Sequence, residues 1–343
     1  GVSPGVSGWD VSGFPSAIAL GPCENACRTA AADGGALRRW SVPGPSFPES
    51  IMLFDGFKRQ RINVGEVEIN CVHGGNGPPL LLLHGCPQNV SQWAKLVPLL
   101  ADRFTIVCAD LRGYGDSSKP KDLPDHSNYS FRAMANDQVR VMKALGFDRF
   151  HVAGHDRGAR VAHRMTLDHA DKVLTMAALD VVPTWAMYNK VTKPLASTFW
   201  QWYFFPIPEP FPELAIGANP DLFFENCLVA CGTSVLDRFD AEMVAEYRRC
   251  WRDPGMIHGT CSDYRAGASI DLVHDEADLH RKVECPMLTL WAGEGLVHTF
   301  FDFEAEWKAR ANNVKSVAIR GGHFFPEQQP RETADALLAF LGE

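Results

Sequence analysis

The chain of 343 residues has little of what several classes of function require. It lacks an excess of positive charge: 33 lysines and arginines stand against 41 aspartates and glutamates, for a formal net charge of -8. Nucleic-acid and anionic-membrane binding both need basic surface, so neither partner is expected, and an anionic substrate must be caught by local positive charge. No apolar run approaches the roughly 20 residues that a membrane helix needs. The ten cysteines include no C-x-x-C pair and no Cys/His cluster at zinc spacing, so no metal or cofactor site is expected. Cys227 and Cys231, four apart, read as two small apolar groups on one helix face. Reduced thiols in a cytoplasmic protein fit this usage.

What is present suits a globular enzyme, because 46% hydrophobic and 22% charged residues give ample material for a core. Residues 1–51, rich in Gly, Pro, Ser and Ala, read as a disordered extension or non-native upstream sequence, without the basic start and apolar centre of a signal peptide. Met52 is a plausible start. From Arg61 onward short strands alternate with helices: a hairpin over Arg61–Val72, strands at Pro79–Gly85, Phe104–Asp110, Phe150–Gly154, Val173–Asp180, Met287–Gly293 and Lys315–Ile319. Helices are expected near Ser91–Ala101, Phe131–Leu145, Phe300–Ala309 and Glu332–Leu341. This alternation predicts an α/β fold with a mostly parallel sheet flanked by helices. Between about Pro183 and Asp275 the pattern becomes aromatic and proline-rich, as in FWQWYFFPIPEPFPE. The expected organisation is a core over 52–183 and 276–343, with an inserted helical cap over 184–275 forming a lid.

The chemistry centres on VAGHDRGARVAHR. Gly154-His155-Asp156-Arg157-Gly158 has the spacing of a nucleophile elbow, a strained strand-to-helix turn, with Asp156 where serine is usually found. Asp156 as a simple helix cap is the plain alternative. A carboxylate with an ordinary pKa of about 3.9 is already ionised at neutral pH and needs no base to act as a nucleophile. It is suited to displacing a leaving group from saturated carbon, which leaves an ester of the enzyme. Release of that ester needs water activated by a base, and His323 in RGGHFFPEQQP stands in the chain order of the α/β-hydrolase triad. Two acids compete to orient it: Asp180, favoured, and Glu294 after a later strand. Arg157 and Arg160, three apart in the first helical turn, sit where the helix dipole disfavours cations, which an anionic substrate group beside Asp156 would explain. Pairing with acids of the lid is the alternative. The loop HGCPQN offers the Cys86 amide, with that of Arg157, as an oxyanion hole for ester hydrolysis.

Together LLLLHGCPQN, CADLRGYGDSSKP, GHDRGAR, DYRAGASID and GGHFFPE resemble the haloacetate and fluoroacetate dehalogenases of the α/β-hydrolase superfamily, from about Phe54 to Leu341. The resemblance implies Asp156 as nucleophile, Asp180 and His323 as the water-activating pair, and Arg157 with Arg160 on a substrate carboxylate. It also implies Trp202 and Tyr264 as donors to the departing halide, with a small haloacid and water as the reactants, and a homodimer. This chain departs from the family at Gln201, which replaces a histidine, and at Cys86, which replaces an aromatic residue. A neutral amide cannot become a cation, so chloride and bromide are expected to leave more readily than fluoride. An epoxide hydrolase is the closest rival, since it shares the Asp nucleophile, but the arginine pair would be pointless for a neutral epoxide. A non-catalytic binder of small carboxylates would be expected to have a broken triad.

Overall fold

In a computed structural model of the chain, residues 53–230 and 235–342 are described. The expected extension over 1–51, the start at Met52 and the residue Cys231 lie outside the described residues. Strands β1 (Lys58–Asn63) and β2 (Glu68–Gly75) pair as an antiparallel hairpin. The remaining strands are β3 (Pro79–Leu83), β4 (Thr105–Ala109), β5 (Phe150–His155), β6 (Val173–Leu179), β7 (Met287–Ala292) and β8 (Val314–Ile319). They form one eight-stranded sheet of order β1-β2-β4-β3-β5-β6-β7-β8, antiparallel across β1-β2-β4 and parallel from β4 onward.

The continuous apolar runs follow from burial on both faces of the parallel strands. Leu81, Leu83, Val107 and Val152 pack into one apolar layer, shared with the Phe131–Ala144 and Arg157–Asp168 helices. Their neighbours Leu80, Leu82, Ile106 and Ala153 pack into the opposite layer, with Leu337 and Phe340 of the closing helix Pro330–Leu341. One helix differs from expectation. The Ser91–Ala101 stretch is a 3-10 turn over Val90–Trp93, capped by Asn89, and a separate short helix over Val97–Leu100. The proline Pro98 explains the break: its ring would clash with the carbonyl one turn earlier, while it is tolerated in a first helical turn.

Between β6 and β7 the chain leaves the sheet for a series of helices running from Thr184–Asn189 to Ile270–Ala277. Among the described residues no helix is long and apolar enough to cross a membrane, and no disulfide links the described cysteines.

Candidate active site

The site lies where the parallel strands end, the usual place for ligands in an open α/β sheet. Strand β5 ends at His155 and the next helix starts at Arg157, so Asp156 alone makes the turn, at φ 46° and ψ -112°. Such backbone costs a non-glycine residue about 1–3 kcal/mol and persists only where the surroundings hold it. They do so by close approach. A Cβ on Gly158 would come within 2.3 Å of the Leu83 carbonyl oxygen, and one on Gly85 within 2.5 Å of the Asp156 Cβ. The simple helix-cap reading of Asp156 is excluded, since its side chain makes no capping bond. Instead its Oδ1 accepts a hydrogen bond from the Cys86 amide at 3.0 Å. Arg157, whose amide was expected beside that of Cys86, opens the helix, where backbone N–H groups have no partner inside it. Burial works against the Asp156 carboxylate, but His323, Arg160 and Arg157 outweigh it, and its pKa falls below the ordinary value.

His323 and Asp180 meet from different parts of the chain. Asp180 follows β6 at φ 52°, with Oδ1 accepting from the Ala292 amide at 2.8 Å and Oδ2 lying 2.7 Å from His323 Nδ1. Glu294, the competing acid, is exposed to solvent. Burial disfavours the His323 cation, but the hydrogen bond and charge of Asp180, with Asp156 adding, raise its pKa above the ordinary 6.5. Next to it His155 Nε2 donates to the His323 carbonyl at 2.9 Å. Burial, and then His323, lower the His155 pKa to about 3, so it adds no second charge.

The two arginines divide what was expected of them jointly. Arg160 lines the cavity; Arg157 is not among its lining residues. Arg157 is fully buried and gives Nε and Nη2 to Asp263, at 2.8 and 2.6 Å, so the alternative of pairing with an acid from the insertion holds for much of its side chain. Arg160 Nη1 donates to the Val182 carbonyl and to Thr184 Oγ1, both at 3.0 Å. Each nevertheless keeps one buried nitrogen without a partner among the described residues: Nη1 of Arg157, with two N–H bonds, and Nε of Arg160, with one. Buried donors of this kind are rarely left unmatched, and an anion would satisfy both. Burial lowers the Arg160 pKa to about 10, against the pull of Asp156, and it remains a cation at neutral pH.

The enclosed space is small. Asp156, Arg160, Asp180 and His323 border a cavity of about 40 Å³, room for about three water-sized spheres and hence for a molecule of a few heavy atoms. The insertion closes it with Gln201, Trp202 and Tyr264. The Trp202 and Tyr264 rings meet edge to face, centroids 5.7 Å apart. The Arg160 guanidinium lies 4.4 Å from the Trp202 ring centroid. Burial holds the Tyr264 phenol well above its ordinary pKa, so it stays a donor. Cys86 borders the same space, and burial and then Asp156 keep its thiol protonated.

Every residue singled out from sequence, except Arg157 and Glu294, thus borders one cavity. Sequence reasoning gave no place in the site to Met187, Phe199, Phe205 and Cys227, which supply apolar wall from insertion helices and the residues just after them, without a recognisable motif. It also gave no role to Asp263, although that residue stands directly before Tyr264 in DYRAGASID. The motif CADLRGYGDSSKP proves to be scaffold: Asp110 accepts from Asn70 Nδ2 at 2.7 Å and from the Val90 and Asp116 amides at 2.9 Å, pinning the loops behind the cavity.

Comparison with known proteins agrees with this fold. A family model of the alpha/beta hydrolase fold matches residues 78–215. A fluoroacetate dehalogenase from a Burkholderia species is 53% identical over 291 residues, 85% of this chain and 96% of that protein. A soluble epoxide hydrolase from Corynebacterium sp. (strain C12) is more distant, 32% identical over 79% of this chain and 92% of its own. Among solved structures, an α/β hydrolase of Nostoc sp PCC 7120 superimposes with a TM-score of 0.82 at 47% identity, covering 83% of this chain and 98% of its own. The fold, the elbow and the near-complete span of these matches lead to one conclusion: the chain belongs to the haloacetate dehalogenase family of the α/β-hydrolase superfamily, hydrolases that act on carbon–halogen bonds.

Proposed function

We propose that the protein converts haloacetate, and 2-haloalkanoates more broadly, into 2-hydroxyalkanoates and halide through an ester on Asp156, under a lid formed by the inserted helices. One observation carries the reading: an ionised carboxylate on the elbow shares a small cavity of about 40 Å³ with the His323–Asp180 pair and a cationic Arg160. The substrate carboxylate is held by Arg160 and by the unspent Nη1 group of Arg157. With Oδ1 engaged by the Cys86 amide, Oδ2 of Asp156 attacks the halogen-bearing carbon. The carbon–oxygen bond forms as the carbon–halogen bond breaks, and the halide leaves with the bonding pair toward Trp202, Tyr264 and Gln201. Water then adds to the ester carbonyl while His323 takes its proton, and Asp180 stabilises the resulting imidazolium. The Cys86 and Arg157 amides stabilise the tetrahedral oxyanion. Its collapse expels the hydroxyalkanoate, which receives the proton from His323, and Asp156, left as a carboxylic acid carrying the water's oxygen and second proton, returns to the carboxylate by releasing that proton to solvent.

The 53% identity to a fluoroacetate dehalogenase supports this reading. That likeness is also the ground for expecting a homodimer, whereas the expected cytoplasmic location rests on the scattered cysteines, unpaired among the described residues. An epoxide hydrolase activity is favoured by the more distant relative but leaves the two unmatched arginine nitrogens without a purpose. His323→Asn tests the two steps together. Treated with chloroacetate, the variant should release one equivalent of chloride and gain the mass of a carboxymethyl ester on Asp156. Stoichiometric chloride release from unmodified protein would exclude the ester, and turnover of styrene oxide in preference to chloroacetate would favour the rival.

A further inference from the structure

We infer that Asp263, which does not touch the cavity, is a positioning residue that fixes the aim of Arg157 on the substrate carboxylate; this rests on the reading above. Asp263 lies on the insertion helix Pro254–Gly267, and Arg157 opens the elbow helix of the core. Both side chains are fully buried. The carboxylate takes Arg157 Nε on Oδ2 at 2.8 Å and Nη2 on Oδ1 at 2.6 Å, while the Asp263 carbonyl accepts Nη2 again at 3.1 Å. A bidentate grip of this kind fixes the guanidinium plane as well as its place. Aromatic rings complete the mount, with the guanidinium carbon 4.1 Å from the Tyr264 ring centroid and 4.7 Å from that of Phe131. Asp263 is itself held from the core, since the Tyr114 hydroxyl donates to its Oδ2 at 2.7 Å.

Two consequences follow for binding. The fork that would otherwise clasp a carboxylate in bidentate fashion is spent on Asp263, and Nη1 is the end left over. Arg157 therefore has only its Nη1 group left to offer the substrate, and Arg160 offers Nε from the neighbouring turn. The charge of Arg157 is also balanced by Asp263, so attraction of the anion falls chiefly to Arg160. Because the core supplies Arg157 and Tyr114 while the insertion supplies Asp263, the contact also sets the insertion in register with the nucleophile.

Steady-state kinetics on chloroacetate test the inference, with acetate as an unreactive carboxylate inhibitor. Asp263→Asn frees the charge of Arg157 but also its aim. With aim the larger effect, the variant should raise both KM and the acetate inhibition constant about ten-fold, the size of a lost charge-assisted hydrogen bond, and leave kcat within about three-fold, since the contact is made in ground and transition states alike. In an Arg157→Gln background the same substitution should have almost no further effect, because Asp263 acts through that arginine. Tyr114→Phe, which removes one hydrogen bond and no charge, should raise KM about two- to three-fold and keeps the question answerable if Asp263→Asn fails to fold. An unchanged KM in the variants, or an Asp263→Asn cost as large without Arg157 as with it, overturns the inference while the proposed reaction stands. A wild type that neither releases chloride nor binds acetate removes both.

Discussion

The cavity has two walls made in different ways. The core wall hangs on backbone: Asp156 and Asp180 sit at positive φ, 46° and 52°, each at the end of a buried strand, and each has a carboxylate oxygen held by an amide, that of Cys86 at 3.0 Å and that of Ala292 at 2.8 Å. The insertion wall hangs on side-chain packing. Trp202 is wedged between Tyr188 and Tyr264, ring centroids 5.3 and 5.7 Å away, and Gln201 opens a helix of four residues. In the reaction we propose, the core wall carries the charges that form and break bonds, whereas the insertion wall supplies donors for a departing group. Losses in the first wall should therefore be nearly total, and changes in the second graded.

The largest effect is expected at Asp156. Asp156→Asn keeps size and shape but has no useful nucleophile, so halide release should fall below detection while acetate still binds, as equilibrium titration can show. Asp180→Asn comes next. A neutral partner neither fixes the His323 tautomer nor stabilises its cation, a loss worth about 10⁴-fold where such triads have been dissected. Single-turnover measurement should place that loss in ester hydrolysis and leave displacement little changed. Exposed Glu294, changed to Gln, should alter the rate by less than about two-fold, as surface substitutions do. The reverse ranking would move the orienting acid to the later strand and break the contrast between the walls.

Acid should separate the two chemical steps less severely. The His323 pKa is raised, first by Asp180 against the cost of burial, and His323 works as a base only when neutral. Hydrolysis should therefore slow as pH falls through that raised value, by about ten-fold per unit below it. The Asp156 pKa is lowered, so displacement should persist to more acidic pH. Esterification removes the Asp156 charge, one of the causes holding the His323 pKa up, and so frees the base at somewhat lower pH in the intermediate than in the resting enzyme. Rapid-quench measurements across pH should show the ester accumulating on the acid side. Loss of both steps at one pH would indicate a single controlling group.

The difference between the walls also explains what could be read from the sequence. Gly154, Asp156 and Gly158 announce the elbow because a Cβ at Gly158 has no room beside the Leu83 carbonyl, and backbone constraints of that kind leave residue types as their trace. Strands such as PLLLL were legible because burial on both faces demands an unbroken apolar run. The insertion imposes no such demand. Phe199 and Phe205, each just past the end of a short helix, and Cys227 on the Pro220–Ala230 helix line the cavity, and any well-packed apolar residues would serve there. Arg157 shows a third limit: its spacing announces an anion, but sequence order could not reveal that Asp263, more than a hundred residues later, would occupy most of its donors.

The smallest effect expected from a residue that borders the cavity, at Gln201, probes the insertion wall most directly. Gln201 borders the cavity beside Trp202 at the mouth of the Gln201–Phe204 helix, buried to 6% exposure. Chloride and bromide leave readily, so neutral donors from Gln201, Trp202 and Tyr264 should suffice for them. Fluoride must exchange strong hydration for equally strong donors while its bond is breaking, which is stabilisation specific to the transition state. A charge-assisted donor exceeds a neutral one by roughly 1–2 kcal/mol, or about five- to thirty-fold in rate. Wild type should accordingly turn over chloroacetate faster than fluoroacetate, and Gln201→His should narrow the gap by raising the fluoroacetate rate. That gain should shrink at higher pH, where the introduced imidazole loses its proton, while the chloroacetate rate changes little. Initial halide-release rates at saturating substrate and at two pH values decide the matter. A wild type that already prefers fluoroacetate, or a ratio unmoved by the substitution, would mean that Trp202 and Tyr264 alone receive the halide and that position 201 serves only to pack the wall.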